Sequence, residues 1–555
     1  MRISTMRGGV RAMSDGFGGA MLFINPLSSD AGRNIYAKKI DHYGNLQWSG
    51  EEVEICRVPL DQVLNACISD SSGGAIVGWR DFRRSIVPHW IFDSVDVYVQ
   101  RVDFEGNVLW GENGMDLRTP KFGRRNMWIG EMVEDGQGGA IVQFSLEEGF
   151  YGEWENYVQR IDRDGNLLWG EDAVAVDTTN TFHHRYFAGM VTDGEGGVIV
   201  GQIGGYTSSE NFYYFIRINS AGEKIWHSDT LWFNGYTFIN NIVNDGYGGA
   251  YFFYQTNPDT SEDIIDFYIN QIGQDGNLMW AGLGTKVSNR SHGELGFPFI
   301  SITPTSDVIF IYEAQLGEYP VWDSNIFGQK LNTIGEVLWD SGGVVINEAV
   351  GNQVPKSIVA ALDGGIFVVW TDTRNYDSNG IDIYAQRLDA SGESVWTYNG
   401  KGISVKPGYQ DFPDITSDGS DGVIIAWDEF NTPTGFGTYA QQVNGAGQLG
   451  VPGPLSVEDN VLIPVEFYVS SFPNPFNTSA TILYDLPHPD KVSSTIYNIE
   501  GKEVIKLFEG KKEKGKYKLL WNGTDEKGIP VASGLYLFRI NGENLTETHK
   551  MLLLR

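Results

Sequence analysis

Apolar residues in this chain come in short runs that are too brief for helices and recur at even intervals. Runs such as Ala75-Ile76-Val77-Gly78-Trp79 and Ile366-Phe367-Val368-Val369-Trp370 are too short for a helix and rich in β-branched and aromatic residues, which predicts strands buried on both faces. A glycine-rich turn precedes each run: Asp15-Gly16-Phe17-Gly18-Gly19, Asp135-Gly136-Gln137-Gly138-Gly139, Asp193-Gly194-Glu195-Gly196-Gly197 and Asp245-Gly246-Tyr247-Gly248-Gly249. Variants occur at Asp70, Asp363 and Asp418, and the sixth repeat reduces the turn to Thr305-Ser306-Asp307. Asp-Gly followed by further glycines supplies the positive φ of a tight strand-turn-strand junction. A variable polar loop follows each run, then a strand centred on tyrosine, as in Tyr98–Val102, Tyr157–Ile161, Tyr384–Leu388 and Tyr439–Val443.

Each tyrosine strand leads into the pattern Asp/Asn-x-x-Gly-x-x-x-Trp. It occurs at Asp41, Gly44, Trp48; Asp103, Gly106, Trp110; Asp162, Gly165, Trp169; Asn219, Gly222, Trp226; Asn332, Gly335, Trp339; and Asp389, Gly392, Trp396. A further copy has Gly273, Gly276 and Trp280, and a last has Asn444 and Gly447 with Val451 in the tryptophan place. The copies recur every 55 to 60 residues or so, which suits one four-stranded unit each. Such a unit, apolar on both faces, is buried only by stacking copies radially. The expected fold is therefore all-β: a β-propeller of about eight blades, or seven if the terminal units share one, with the tryptophans docking neighbouring blades. The first unit opens on its inner strand near Gly8–Ser14 and the last ends near Val457, so each unit is expected to be complete and the ring to close by blade packing alone.

Composition agrees with this reading: 69 glycines, 16 tryptophans and 26 tyrosines in 555 residues suit many short strands and tight turns. The net charge of −31, with no basic cluster in the first 460 or so residues, argues against a nucleic-acid partner. No apolar run approaches the roughly 18 residues that a transmembrane helix needs. Cys56 and Cys67 lie between the first two repeats, where a bridge or two inert thiols would both suit the spacing.

Near Pro452–Pro464 the repeat stops and lysines appear, at 502, 506, 511, 512, 514, 516 and 518. This divides the chain into a propeller over 1–457, a linker over 458–465 and a module over 466–555 whose short strands suit an immunoglobulin-like sandwich. The module carries Phe472-Pro473-Asn474-Pro475-Phe476-Asn477, then Tyr484, Ile496-Tyr497-Asn498-Ile499, Trp521-Asn522-Gly523-Thr524-Asp525, Gly534-Leu535-Tyr536 and the terminal Lys550-Met551-Leu552-Leu553-Leu554-Arg555. In this order the motifs resemble the C-terminal sorting domain of type IX secretion substrates; flagellar-hook-capping-type sandwiches share much of the pattern. The resemblance implies that Pro473, Asn474, Pro475, Phe476, Asn477, Gly534, Tyr536 and Lys550 carry the sorting signature. It also implies that type IX machinery is a partner and that the protein is secreted or held at the outer-membrane surface of a Bacteroidetes-like bacterium. Met1–Gly9 has no apolar signal-peptide core, and a truncated or wrongly assigned start is the simplest explanation.

Little chemistry is visible. No nucleophile elbow, zinc-protease helix or phosphate loop is present, and of the eight histidines only His183 and His184 adjoin, on opposite faces of a predicted strand. The tryptophan repeat is similar to the docking motif of eight-bladed quinoprotein dehydrogenases, which bind a quinone with calcium. Their vicinal cysteine pair is missing here, so the packing motif is kept and the cofactor is not. Calcium candidates are Asp372, Asp377 and Asn379 in one loop and Asp162 and Asp164 in another, where a turn reading competes. The loops Asp81–Asp96, Ser145–Asn156, Thr256–Asp266 and Tyr312–Asn325 are rich in aromatics and acids and could face a glycan or a surface protein. The leading expectation is an exported, non-catalytic binding or adhesion propeller; the alternatives are a secreted propeller hydrolase acting on glycans and a structural envelope component.

Overall fold

The computed structural model describes residues 2–450 and 469–553, apart from 5–7, 27–31, 42–43, 49–51, 86–94, 118–125, 149–152, 177–183, 208–209, 235–236, 257–265, 283, 288–297, 317–322 and 431–435 in the first stretch and 473–475, 478, 487–488, 500, 514 and 543–545 in the second. The described chain is all-β, with one helical turn at Tyr376–Asn379. Small antiparallel sheets follow one another along the chain: sheet I over 8–56, II over 62–116, III over 127–175, IV over 184–234, V over 237–286, VI over 299–347, VII over 353–404 and VIII over 409–443. Each runs first strand to last in chain order, and sheet IV adds a fifth strand, Leu231–Asn234. The second and third strands are deeply buried: in sheet II Ala75–Asp81 is covered almost throughout and Asp96–Val102 entirely, and in sheet VII both Ile366–Asp372 and Asp382–Leu388 are covered entirely.

The apolar core lies between sheets rather than within them. One cluster joins Ile76 and Val99 of sheet II to Met127 and Phe144 of sheet III. Another joins Tyr251 of sheet V to Phe310 of sheet VI, and a third joins Phe367 of sheet VII to Ile425 of sheet VIII. The first strand of each sheet packs on that of the next, and the first strand of sheet VIII meets that of sheet I, so the series closes.

A repeated contact aligns the sheets. Trp110 Nε1 donates to the Arg163 carbonyl of the next sheet, Trp169 to Ser220, Trp226 to Gln274, Trp339 to Ala390 and Trp396 to Gly445. The glycine of the neighbouring turn lies flat on the same ring. Gly222, at φ 83°, would place a Cβ 2.9 Å from Trp169 Cδ1. Positive φ and close approach together demand glycine there. The tryptophans precede the outer strands rather than lying in them, Trp226 excepted: sheet II's fourth strand is Met115–Asp116, beyond Trp110. Trp110 N–H turns back to the Gln100 side-chain oxygen, which frees the ring to reach across to sheet III.

Ring closure differs from the sequence expectation. Sheet VIII takes only three strands from the last repeat, and its fourth is Arg2–Ser4, paired antiparallel with the Gly437–Val443 strand. After Val443 the described residues of the last repeat form no strand, and Val443 makes an isolated bridge to Leu449. The outer edge is therefore left for the chain start to cover, which satisfies hydrogen-bonding groups that an edge strand would expose. The apolar cluster between sheets VIII and I, built around Leu22, Ile24 and Ile424, contains no tryptophan.

The second stretch is a sandwich of two sheets. Val469–Phe472, Ala480–Leu486 and Gly515–Trp521 form one; Glu503–Lys512, Asp490–Asn498, Gly534–Asn541 and Thr546–Leu553 form the other. Trp521 centres the core, with ring centroids 5.3 Å from Phe476 and 4.9 Å from Tyr536.

Gly222→Ala is expected to lower stability by about 2 kcal/mol through strain against Trp169, read as a lower Tm. Deleting residues 1–6 should lower Tm and raise light scattering on heating, because the Gly437–Val443 edge is uncovered; unchanged melting would show that the strand contributes nothing to closure.

Candidate functional site

The turn aspartates hold internal ion pairs. Asp70 Oδ2 receives Arg101 at 2.7 Å, Asp135 receives Arg160 at 3.1 Å, Asp193 receives Arg217 at 3.1 Å, and Asp245 accepts from Gln271 at 2.7 Å. Asp70 Oδ1 also accepts the Ser72 and Gly74 N–H groups. Arg101 and Trp110 donate to the same Arg163 carbonyl, so the turn, the third strand and the next sheet are linked. The Gln-Arg pair of the tyrosine strands, legible as Gln100-Arg101 and Gln386-Arg387, is the sequence signal of this role that the motif reading passed over.

At the opposite edge, Trp79-Arg80-Asp81-Phe82-Arg83 and Trp370-Thr371-Asp372-Thr373-Arg374 form matching constellations. Asp372 is fully buried, accepts Trp370 Nε1 at 2.8 Å and pairs with Arg374, whose guanidinium lies 4.0 Å from the Tyr384 ring centroid. Asp81 does the same with Trp79 and Arg83, with Arg83 3.9 Å over Tyr98. These carboxylates anchor the loop bases.

The five calcium candidates are not brought together. Asp372 is held by Arg374, Asp377 is exposed on the helical turn, and Asn379 Nδ2 lies 3.3 Å from Asp382. Asp162 caps its turn: burial would raise its pKa, but hydrogen bonds from the Asn166 side chain and the Asn166 and Asp164 N–H groups outweigh this and hold it below the ordinary value. Among the described residues no three His, Cys, Asp or Glu side chains form a metal-sized cluster. Cys56 and Cys67 are free thiols. Burial, with the Asp81 charge second, pushes Cys56 up to about 12, and burial with Asp414 does the same for Cys67. His183 lies outside the described residues, as do Pro473, Asn474 and Pro475 and the middles of all four candidate loops. Phe476 and Tyr536 are sandwich core, Asn477 is half-buried, Lys550 is exposed, and Gly534 opens a strand.

One rim is chemically distinctive. The loop 373–381 of sheet VII folds onto the connection to sheet VIII: Gly408 N–H donates to the Asn379 carbonyl and Gln410 N–H to that of Ile381. Here Tyr376 is exposed, with its ring centroid 6.4 Å from Tyr409, which stacks at 5.5 Å and 8° on Phe430. Lys406 pairs with the buried Glu429 at 2.7 Å and lies 4.7 Å over Tyr439. At the corresponding edge of sheet III, exposed Trp128 carries Arg80 4.0 Å from its ring centroid and packs edge-on against Trp154.

Two carboxylates on the innermost strand of sheet III have raised affinity for protons. Burial pushes Glu131 up to about 7, the Met190 N–H pulling the other way. Burial does the same to Glu134, against the Ser71 hydroxyl and with Asp70 and Asp135 adding to the rise. The Met190 N–H reaches Glu131 at 2.7 Å and Ser71 Oγ reaches Glu134 at 2.9 Å, so both carboxylates stitch neighbouring sheets.

Fold and rim together define an all-β protein of many small antiparallel sheets with an immunoglobulin-like C-terminal domain. The FlgD Ig-like domain family matches residues 477–545. Comparison with curated proteins found no match. Among solved structures, PorZ, a surface component of the type IX secretion system of Porphyromonas gingivalis, is 12% identical over 98% of this chain and 81% of its own, with a TM-score of 0.30. A polysaccharide lyase of family PL25, an ulvan lyase, is 11% identical over 80% and 94%, with a TM-score of 0.38. A protein of unknown function from Dyadobacter fermentans is 10% identical over 57% and 93%, with a TM-score of 0.34. At such scores and identities these likenesses carry no argument about activity.

A group whose folded pKa is raised contributes stability that is complete below its unfolded value and is lost as pH rises through the folded one. Glu131 should therefore subtract stability between pH values of about 4.5 and 7. Glu131→Gln keeps an acceptor for the Met190 N–H and should be the more stable protein at pH 8, by on the order of 1 kcal/mol, with the advantage vanishing by about pH 4. Paired melting curves across that range measure it.

Proposed function

We propose that this chain is an exported, non-catalytic binding protein: an eight-bladed propeller over residues 1–457, joined through 458–465 to a sandwich over 466–555 that serves as its secretion-sorting domain. The observation that carries the binding reading is the exposed Tyr376 beside the Tyr409–Phe430 stack, on a rim where Arg374 and Lys406 are already paired with Asp372 and Glu429. Aromatic rings left in water on an otherwise well-packed body mark a recognition surface. Support for the non-catalytic reading comes from Glu131 and Glu134, the carboxylates poised near neutrality, because each is engaged in holding sheets together. The sorting role rests on the terminal motif pattern. No helix among the described residues is long and apolar enough to cross a membrane.

Purified protein passed over immobilised soluble polysaccharides and over outer-membrane protein extracts, with reducing ends monitored, tests this reading. Retention on one support without new reducing ends is the expected result. Tyr376→Ala should weaken retention about tenfold, in keeping with the loss of a stacking ring. Release of new reducing ends would make the protein a glycan-cleaving enzyme and sink the proposal.

A further inference from the structure

Arginines drawn into the body of this protein are met by acids. Arg101 pairs with Asp70, Arg160 with Asp135, Arg217 with Asp193 and Arg374 with Asp372, each at 2.7 to 3.1 Å. Arg80 is different. It is half-buried on the Ala75–Asp81 strand of sheet II, its Nε is closed off from water, and its guanidinium makes no hydrogen bond or ion pair with any described residue. Burial lowers its pKa, and the nearby Arg33 lowers it further. Arg33 is itself held loosely, with Nε 3.9 Å from Asp61, whose other oxygen accepts the Arg33 backbone N–H at 2.9 Å. Two like charges thus share a partly desolvated place on a protein of net charge −31. A guanidinium left there without an acceptor costs stability, because donors removed from water gain nothing in exchange.

What this guanidinium does have is an aromatic floor. Its carbon lies 4.0 Å from the ring centroid of Trp128, on the first strand of sheet III. Trp128 is 38% exposed and meets Trp154 edge-on at 6.0 Å and 85°. A cation–π contact fixes the plane of a guanidinium without using its N–H groups. Arg80 is therefore an oriented fork with its donors unused, beside indole rings set nearly at right angles. These features select one ligand class. The fork receives a carboxylate in bidentate fashion, with Arg33 adding charge, and exposed indole takes the apolar C–H face of a pyranose ring. A neutral sugar would leave the guanidinium without an acceptor, and an inorganic anion would leave the indole face unused. An acidic peptide brings carboxylates on flexible stems and no rigid face for the rings. A polyanion would be repelled by Glu147, the cross-strand partner of Trp154, and by the protein as a whole.

We propose that Arg80, supported by Arg33 and the Trp128–Trp154 corner, is a subsite for a single uronic-acid residue, with the carboxylate on the guanidinium and the pyranose face on indole. It lies on sheets II and III, apart from the Tyr376 rim of sheets VII and VIII, and does not depend on that rim. The test is titration of the full chain with methyl β-glucuronide, methyl β-glucoside, sodium phosphate and triglutamate at constant ionic strength, following tryptophan fluorescence and melting temperature. Wild type is expected to respond saturably to the glucuronide and to bind the glucoside, which lacks only the charge, about tenfold more weakly. Arg80→Met should lose about tenfold in glucuronide affinity while melting no lower than wild type, because an unpaired charge has been taken out of a desolvated place. Arg80→Lys keeps the charge without the fork and should also bind more weakly. Lower melting with glucuronide binding intact in both variants would make Arg80 a packing residue and overturn the proposal. Equal affinity for glucuronide and glucoside would overturn the role of the guanidinium. A fluorescence response to phosphate as strong as that to the glucuronide, or tighter binding of triglutamate, would overturn the sugar class. No response to any of these ligands would overturn the subsite altogether, while retention that Tyr376→Ala weakens would leave the binding reading above standing.

Discussion

The structure depends on a tryptophan ring lying on a glycine of the next sheet while its indole N–H reaches a carbonyl of the same turn. An isolated four-stranded sheet with two apolar faces has no stable state in water, so each must find a neighbour at a defined angle. Apolar burial supplies the drive for that contact but is indifferent to direction. The indole bond and the ring–glycine contact supply direction, and repetition turns it into constant curvature. The arginine that ties the turn aspartate to the same carbonyl makes the junction rigid where it is also desolvated, as at Arg101 and Asp70.

Closure then becomes the exceptional step. The interface between sheets VIII and I has a smaller apolar cluster without a tryptophan, and the missing constraint is replaced by chain topology. Strand Arg2–Ser4, from one end of the sequence, completes a sheet built at the other end of the repeat array. Asp414 adds a polar stitch at the same place, joining sheets VII, VIII and I. The rim aromatics sit beside this junction, and Phe412 holds φ 54° at a bulge in the innermost strand of sheet VIII.

Among the described residues, buried carboxylates connect strands and sheets. Asp81, Asp372 and the turn aspartates are each matched by a guanidinium, amide or indole donor, the condition under which a buried carboxylate is tolerated. In the loops that looked suited to calcium, Asp372 faces Arg374 and Asp162 closes its own turn.

The all-β class, the repeat, the turn chemistry and the change of character near residue 460 or so were legible in the sequence because each follows from local rules: strand-length apolar runs, glycines where φ must be positive, and a fixed Gly-to-Trp spacing. The apolar residues of the sandwich were legible for the same reason, with Trp521 and Tyr536 standing in motifs that also fill its core. Three features were decided only in three dimensions. The partner of Arg2–Ser4 lies more than 400 or so residues away, and no local pattern encodes a pairing over that distance. The pairing of buried Asp372 with Arg374 depended on tertiary burial, which composition does not report. The positive φ of Phe412 at a strand bulge is the third, for in sequence Phe412 is only an aromatic residue before a proline.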